Sequence, residues 1–163
     1  MKLYLLLILS VFCAKLLNFY FLPLLILLIP LTFLEVDRLG LKNLWNLSAV
    51  SVLILVPLFD IDYLSSIFLT ALAEELFFRG YLMKFYSNLV VSILFVIPHI
   101  ILYADLHSFL TFFPSLLFGY LYLKTGSLVF SSVIHGFSNI IYDKLLPVLI
   151  PEEIIYLLNF PVG

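Results

Sequence analysis

Short polar marks interrupt a chain that is otherwise apolar. They are "NFYF" at 18–21, "EVDRLGLKN" at 35–43, "DID" at 60–62, "KFYSN" at 84–88, "ADLHS" at 104–108, "KTGS" at 124–127 and "DKLLP" at 143–147. Between them run apolar segments at roughly 3–17, 20–34, 44–59, 63–84, 88–103, 108–123 and 127–143. Several fall short of the roughly 20 residues that a perpendicular span needs, which predicts a locally thinned bilayer or partial spans. The expected fold is all-α, a polytopic transmembrane helix bundle of about six to seven helices. The count turns on residues 1–34, which read either as one long tilted helix or as a short hairpin. Within one integral-membrane domain the pattern separates N-terminal transmembrane helices at 1–62, core helices at 63–145 and a short C-terminal interfacial tail at 146–163.

Composition agrees with the pattern: 64% of the 163 residues are hydrophobic, 11% are charged and the mean hydropathy is +1.23. The expected environment is a lipid bilayer rather than water. No small-residue cleavage site follows residues 3–14, so the first apolar segment is expected to be retained. A net charge of -2 with eight Lys plus Arg offers no basic stripe for phosphates, which excludes a nucleic-acid partner. The one cysteine, Cys13, reads as a small apolar residue.

Charge also orients the chain. In the hairpin option Lys2, Arg38, Lys42, Lys84 and Lys124 share one side. Lys15 and Lys144 share the other with Asp60, Asp62, Asp105, Glu152 and Glu153. Excess Lys and Arg mark the cytoplasmic face, which puts the N-terminus inside and the C-terminus outside. Pro151, Glu152 and Glu153 open the tail in the manner of a short interfacial helix.

From residue 63 onward the costly side chains are few: Glu74, Glu75, Arg79, His99, His135 and Asn139. Three unpaired charges at 74–79 would cost roughly 8 to 10 kcal/mol at mid-bilayer, so partners are required. Glu75 and Arg79 lie four apart, acid first, the favourable order for an ion pair on one helical face. Glu74 sits about 100° round the helix and needs a partner from elsewhere. Helical rise puts Glu74 about 15 Å, His99 about 16 Å and His135 about 13 Å from the cytoplasmic loops, with Asn139 one turn beyond His135. Three segments thus bring polar groups to one level. Pro98 removes a backbone donor beside His99 and leaves a carbonyl that wants a partner or water.

A carboxylate and an imidazole can take a proton from water, and an imidazole plus an amide can hold a developing oxyanion. The same residues admit other readings. Glu75 with Arg79 serves equally as a structural ion pair, and His135 with Asn139 as interhelical hydrogen-bond glue. His107 reads as a solvated loop histidine, Phe95 as a packing residue that fixes the His99 rotamer, and Tyr103 and Tyr142 as interfacial anchors. Glu74, His99 and His135 would make three zinc ligands, although H-E-x-x-H is absent. Ser138 in "HGFSN" would need a histidine from an earlier segment to act as a nucleophile. A non-catalytic immunity or scaffold protein, or a proton-relay transporter, would carry similar buried polar groups.

Read together, "EELFFR" at 74–79, "FVIPH" at 95–99 and "HGFSN" at 135–139 resemble the CAAX protease and bacteriocin-processing enzyme family of intramembrane glutamate proteases. That family's pattern is E-E-x-x-x-R, F-x-x-x-H and H-x-x-x-N in this order. The resemblance covers residues from about 64 to 143. It implies a peptidase in which Glu74 and His99 activate the attacking water and His135 and Asn139 stabilise the oxyanion. Glu75 and Arg79, with Phe95, brace the site. It implies no metal and no cofactor, and a membrane-anchored protein or peptide as substrate. The lack of large hydrophilic insertions fits a compact prokaryotic-type member, resident then in the cell membrane.

Overall fold

The computed structural model describes residues 1–35, 43–145 and 154. The tail expected to lie at the interface, with Pro151, Glu152 and Glu153, falls outside the described residues, as do Arg38 and Lys42. Among the described residues the chain is helical and contains no strand. Seven α-helices are defined among the described residues: α1 Lys2–Leu17, α2 Phe21–Leu28, α3 Ile61–Glu75, α4 Asn88–Tyr103, α5 Leu106–Leu110, α6 Phe112–Thr125 and α7 Leu128–Ile140. The first 34 residues therefore form the hairpin, reversed at Asn18 in the left-handed conformation that asparagine tolerates.

Polar marks become caps. Asp60 accepts from the amides of Asp62 and Tyr63 at the start of α3, Ser87 from Val90 at α4, and Ser127 from Phe130 at α7. Gly126 ends α6 at φ 65°, a turn that a glycine makes without a Cβ clash.

Several apolar segments depart from uniform α-helix, among them 20–34, which ends in a 3₁₀ turn Ile29–Thr32, and 127–143, which runs into a π-helical stretch Ile141–Leu145. Residues Leu44–Leu55 form a 3₁₀ helix with no buried residue, long for that geometry. The segment expected at 63–84 is α3, then a π-helical stretch Leu76–Tyr81, then a 3₁₀ turn Leu82–Lys84. The segment expected at 108–123 begins earlier, because Asp105 caps α5 by accepting from the Ser108 amide. Taken together, Leu106–Thr125 is the one helical stretch among the described residues long and apolar enough to cross a membrane. Phe21–Thr32, Leu44–Leu55 and Asn88–Tyr103 are apolar but shorter.

Helix α7 is central, packed against α3, α6 and the 3₁₀ helix, while α4 joins α6 to α1. Core packing is aromatic around Phe77, Phe78 and Phe95. Polar side chains share the interior with this apolar core, while many large apolar side chains face outward. Glu75, Arg79, Ser92, Ser115, Ser131 and His135 are buried, while Leu9, Leu16, Leu53, Ile93, Phe113 and Leu123 each leave at least half their surface exposed. Apolar exposure on this scale is not what a water-facing surface carries.

The break at Pro98 is sealed from a distance. The Leu94 carbonyl, four residues before it, accepts a hydrogen bond from the Tyr4 hydroxyl at 2.9 Å, so α1 supplies the donor that proline removes. Lys15, further along α1, donates to the Ile101 carbonyl at 2.6 Å. Tyr4→Phe should lower stability by about 1–3 kcal/mol, the cost of an unsatisfied buried acceptor. Reversible denaturation in detergent micelles checks this, and an unchanged midpoint would contradict it.

Candidate active site

Helix α3 changes from α to π immediately after Glu75, and a π segment widens the turn so that neighbouring side chains are re-aimed. Arg79 lies within it. The Glu75–Arg79 pair expected from their spacing forms, Oε1 to Nη1 at 3.0 Å, with both side chains fully buried. The arginine is held further by the Ser115 carbonyl and hydroxyl at 2.7 and 2.8 Å, to which Nη2 donates. Its guanidinium stands 5.0 Å from the Phe95 ring centroid and 5.7 Å from that of Phe118, both cation–π distances. Nε finds no hydrogen-bond acceptor, and the Nη1 contact with Glu75 is a charge contact too poorly aligned for a hydrogen bond. Ion pairing, the two Ser115 hydrogen bonds and the ring faces therefore hold the guanidinium.

Glu75 does more than neutralise Arg79. It accepts from the Ser131 hydroxyl and from His135 Nδ1, the latter at 3.0 Å. An ionised carboxylate only accepts, so the His135 Nδ1 carries the hydrogen, and Nε2 is left facing Glu74 Oε2 at 3.4 Å. His135 is thus clamped between adjacent glutamates, with its ring stacked on Phe118 at 4.5 Å. The distance to Glu74 is too long for a strong hydrogen bond, so Nε2 is the ring atom free to meet another group.

His99 is fixed in the complementary sense. Its Nδ1 lies 2.9 Å from the Phe95 carbonyl, which only accepts, so the neutral ring presents a lone pair at Nε2. The Phe95 ring packs on the His99 ring at 4.6 Å, and its edge meets His135 at 5.7 Å. Phe95 therefore packs against both histidines and Arg79.

Two cavities meet at His99. The larger, about 280 Å³, is lined by His99, His135, Asn139, Ser138, His107 and Tyr142 among others. The smaller, about 80 Å³, is lined by His99 and Glu74 with apolar neighbours from α1, α2 and α4. Ser138 makes no hydrogen bond to a histidine, and among the described residues no three His, Cys, Asp or Glu side chains converge as metal ligands.

Several participants escaped the sequence reasoning. Ser131 lies one turn before His135 on the same face, a spacing that signals its role. Ser115 had no such signal, because a serine in an apolar helix reads as a small packing residue. His107, expected in a solvated loop, lies in α5 half-buried and stacked on Tyr142 at 3.5 Å, facing the larger cavity. Tyr142 is correspondingly part of the cavity lining. Gly136 admits Phe68, for a Cβ there would stand 2.4 Å from the Phe68 ring. Gly136→Ala should force α3 and α7 apart beside His135. It should cost about 1–3 kcal/mol and lower catalytic turnover, as unfolding and activity measurements on the same preparation would show.

A model of the type II CAAX prenyl endopeptidase Rce1-like family matches residues 57–141, more than half of the chain and inclusive of all three motifs. No curated protein and no solved structure matches.

Proposed function

The chain belongs to the type II CAAX prenyl endopeptidase Rce1-like family, and on that premise we propose that it is a membrane-embedded, metal-independent endopeptidase acting close to the membrane surface. Family membership makes peptide hydrolysis the activity to explain. The observation that carries the reading is the convergence of Glu74, His99, His135 and Asn139, from three helices, on two cavities that share His99. The exposed apolar faces around a buried polar centre support a polytopic bundle with lipid around it.

The chemistry proceeds from the orientation of each group. Glu74, with the lone pair of His99 Nε2, takes a proton from water, and the water oxygen bonds to the scissile carbonyl carbon. The resulting oxyanion is met by the Asn139 amide and by His135 in its doubly protonated form, whose Nε2–H donates to it while Nδ1–H stays on Glu75. When the carbon–nitrogen bond breaks, the proton held by Glu74 passes to the leaving nitrogen, giving a carboxylic acid and an amine, and the acid's proton then passes to the amine to leave a carboxylate and an ammonium. Glu75 fixes the His135 ring through Nδ1, and Arg79 supplies the counter-charge to Glu75.

The substrate is a membrane-anchored protein or peptide. Terminal-peptide mapping of membrane proteomes with and without the protein should show shifted C-termini on one class of anchored proteins. Identical termini in the two proteomes would overturn the proposal.

A further inference from the structure

We propose that the smaller cavity is a water chamber feeding the nucleophile to Glu74 from the side of α1 and α2, opposite to the cavity that receives the peptide. This rests on the peptidase reading of the site. Glu74 keeps 18% of its side-chain surface accessible, and it lines the smaller cavity while the lining of the larger one does not include it. Asn139 and His135 line only the larger one. Glu74 and the groups that meet an oxyanion therefore face different spaces, and His99 borders both.

Size assigns the occupants. About 80 Å³ is several times what one water needs but well below the roughly 300 Å³ at which organic ligands are usually held. The larger cavity, about 280 Å³, approaches that range. Water needs polar partners, and Glu74 and His99 supply them at one end of walls made by Leu7, Val11, Leu27 and Leu102. Apolar walls keep such water unbound elsewhere, so it is available for attack.

The N-terminal hairpin thereby gains a catalytic purpose. Leu7, Val11 and Leu27 belong to α1 and α2, outside the matched residues 57–141. The Tyr4 and Lys15 hydrogen bonds hold α1 along α4 on either side of the chamber. A water is delivered to the carboxylate without passing the bound peptide, and the peptide does not have to leave a channel open for it.

Plugging the chamber tests this. Leu102→Trp fills it from a half-buried position, and Val11→Phe fills it from α1. Each should lower kcat at least about tenfold while KM stays within about twofold. Adding Val11→Ala to Leu102→Trp, which restores volume, should recover most of kcat. A folded plug variant with unchanged kcat would overturn the inference, and so would a rise in KM that accounts for the loss, since the peptide would then occupy the chamber. Wild-type cleavage that Glu74→Gln abolishes, measured alongside, keeps the peptidase reading separate from this outcome. X-ray hydroxyl-radical footprinting adds a readout independent of activity and serves if Val11→Phe fails to fold. Oxidation of Val11 and Leu102 in the wild type, suppressed at Val11 by Leu102→Trp, is expected, and no oxidation at either would overturn the chamber.

Discussion

Glu75→Ala should destabilise the protein by about 3–5 kcal/mol, because it strands a fully buried arginine without its counter-charge. Ser115 and the two aromatic faces would still hold the guanidinium, but none of them neutralises it. The double substitution Glu75→Leu with Arg79→Met should recover most of that stability, since apolar groups of similar volume need no desolvation. Activity should not return with it. His135 would have lost the acceptor that orients Nδ1, and turnover should stay about 10²-fold or more below the wild type. Denaturation midpoints and turnover on the three proteins check both halves. Recovery of activity together with stability would show that Glu75 acts only as a structural counter-ion.

Glu74→Gln should fold normally and lose turnover by about 10²–10⁴-fold, the usual contribution of a general base. The amide is nearly isosteric and the position is partly accessible, so no buried charge is left unpaired. Its loss is chemical. The larger effect of Glu75→Ala on stability and of Glu74→Gln on turnover would separate adjacent residues of one motif by function. Circular dichroism and kcat on the same sample measure it, and a Glu74→Gln protein at wild-type turnover would remove Glu74 from the mechanism.

Much of this site is readable along the chain because each polar residue in an apolar helix has to be explained. The i, i+4 spacing with the acid first predicts the Glu75–Arg79 pair, and equal depth from the loops predicts that Glu74, His99 and His135 meet. Caps at Asp60, Ser87 and Ser127 set three of the helix starts. What escapes are relations that exist only after packing. His135 is shared by both glutamates because α3 and α7 lie close enough to admit Phe68 over Gly136, a matter of crossing geometry rather than of spacing. The π segment after Glu75 leaves no mark in hydrophobic periodicity, since every residue but Arg79 there is apolar or glycine. Tyr4 reaches the Leu94 carbonyl across 90 positions of sequence, so the residue that compensates Pro98 is invisible near the proline. His107 looked solvated because "ADLHS" is polar, yet Asp105 turns the chain into α5 and brings the ring onto Tyr142.

The most direct test of the central claim is cleavage of a lipid-anchored peptide by the purified protein reconstituted in liposomes, followed by mass spectrometry after exhaustive chelation. The account predicts that the wild type still releases the C-terminal fragment and that Glu74→Gln releases none. Cleavage lost on chelation and restored by zinc, or retained in Glu74→Gln, would contradict it.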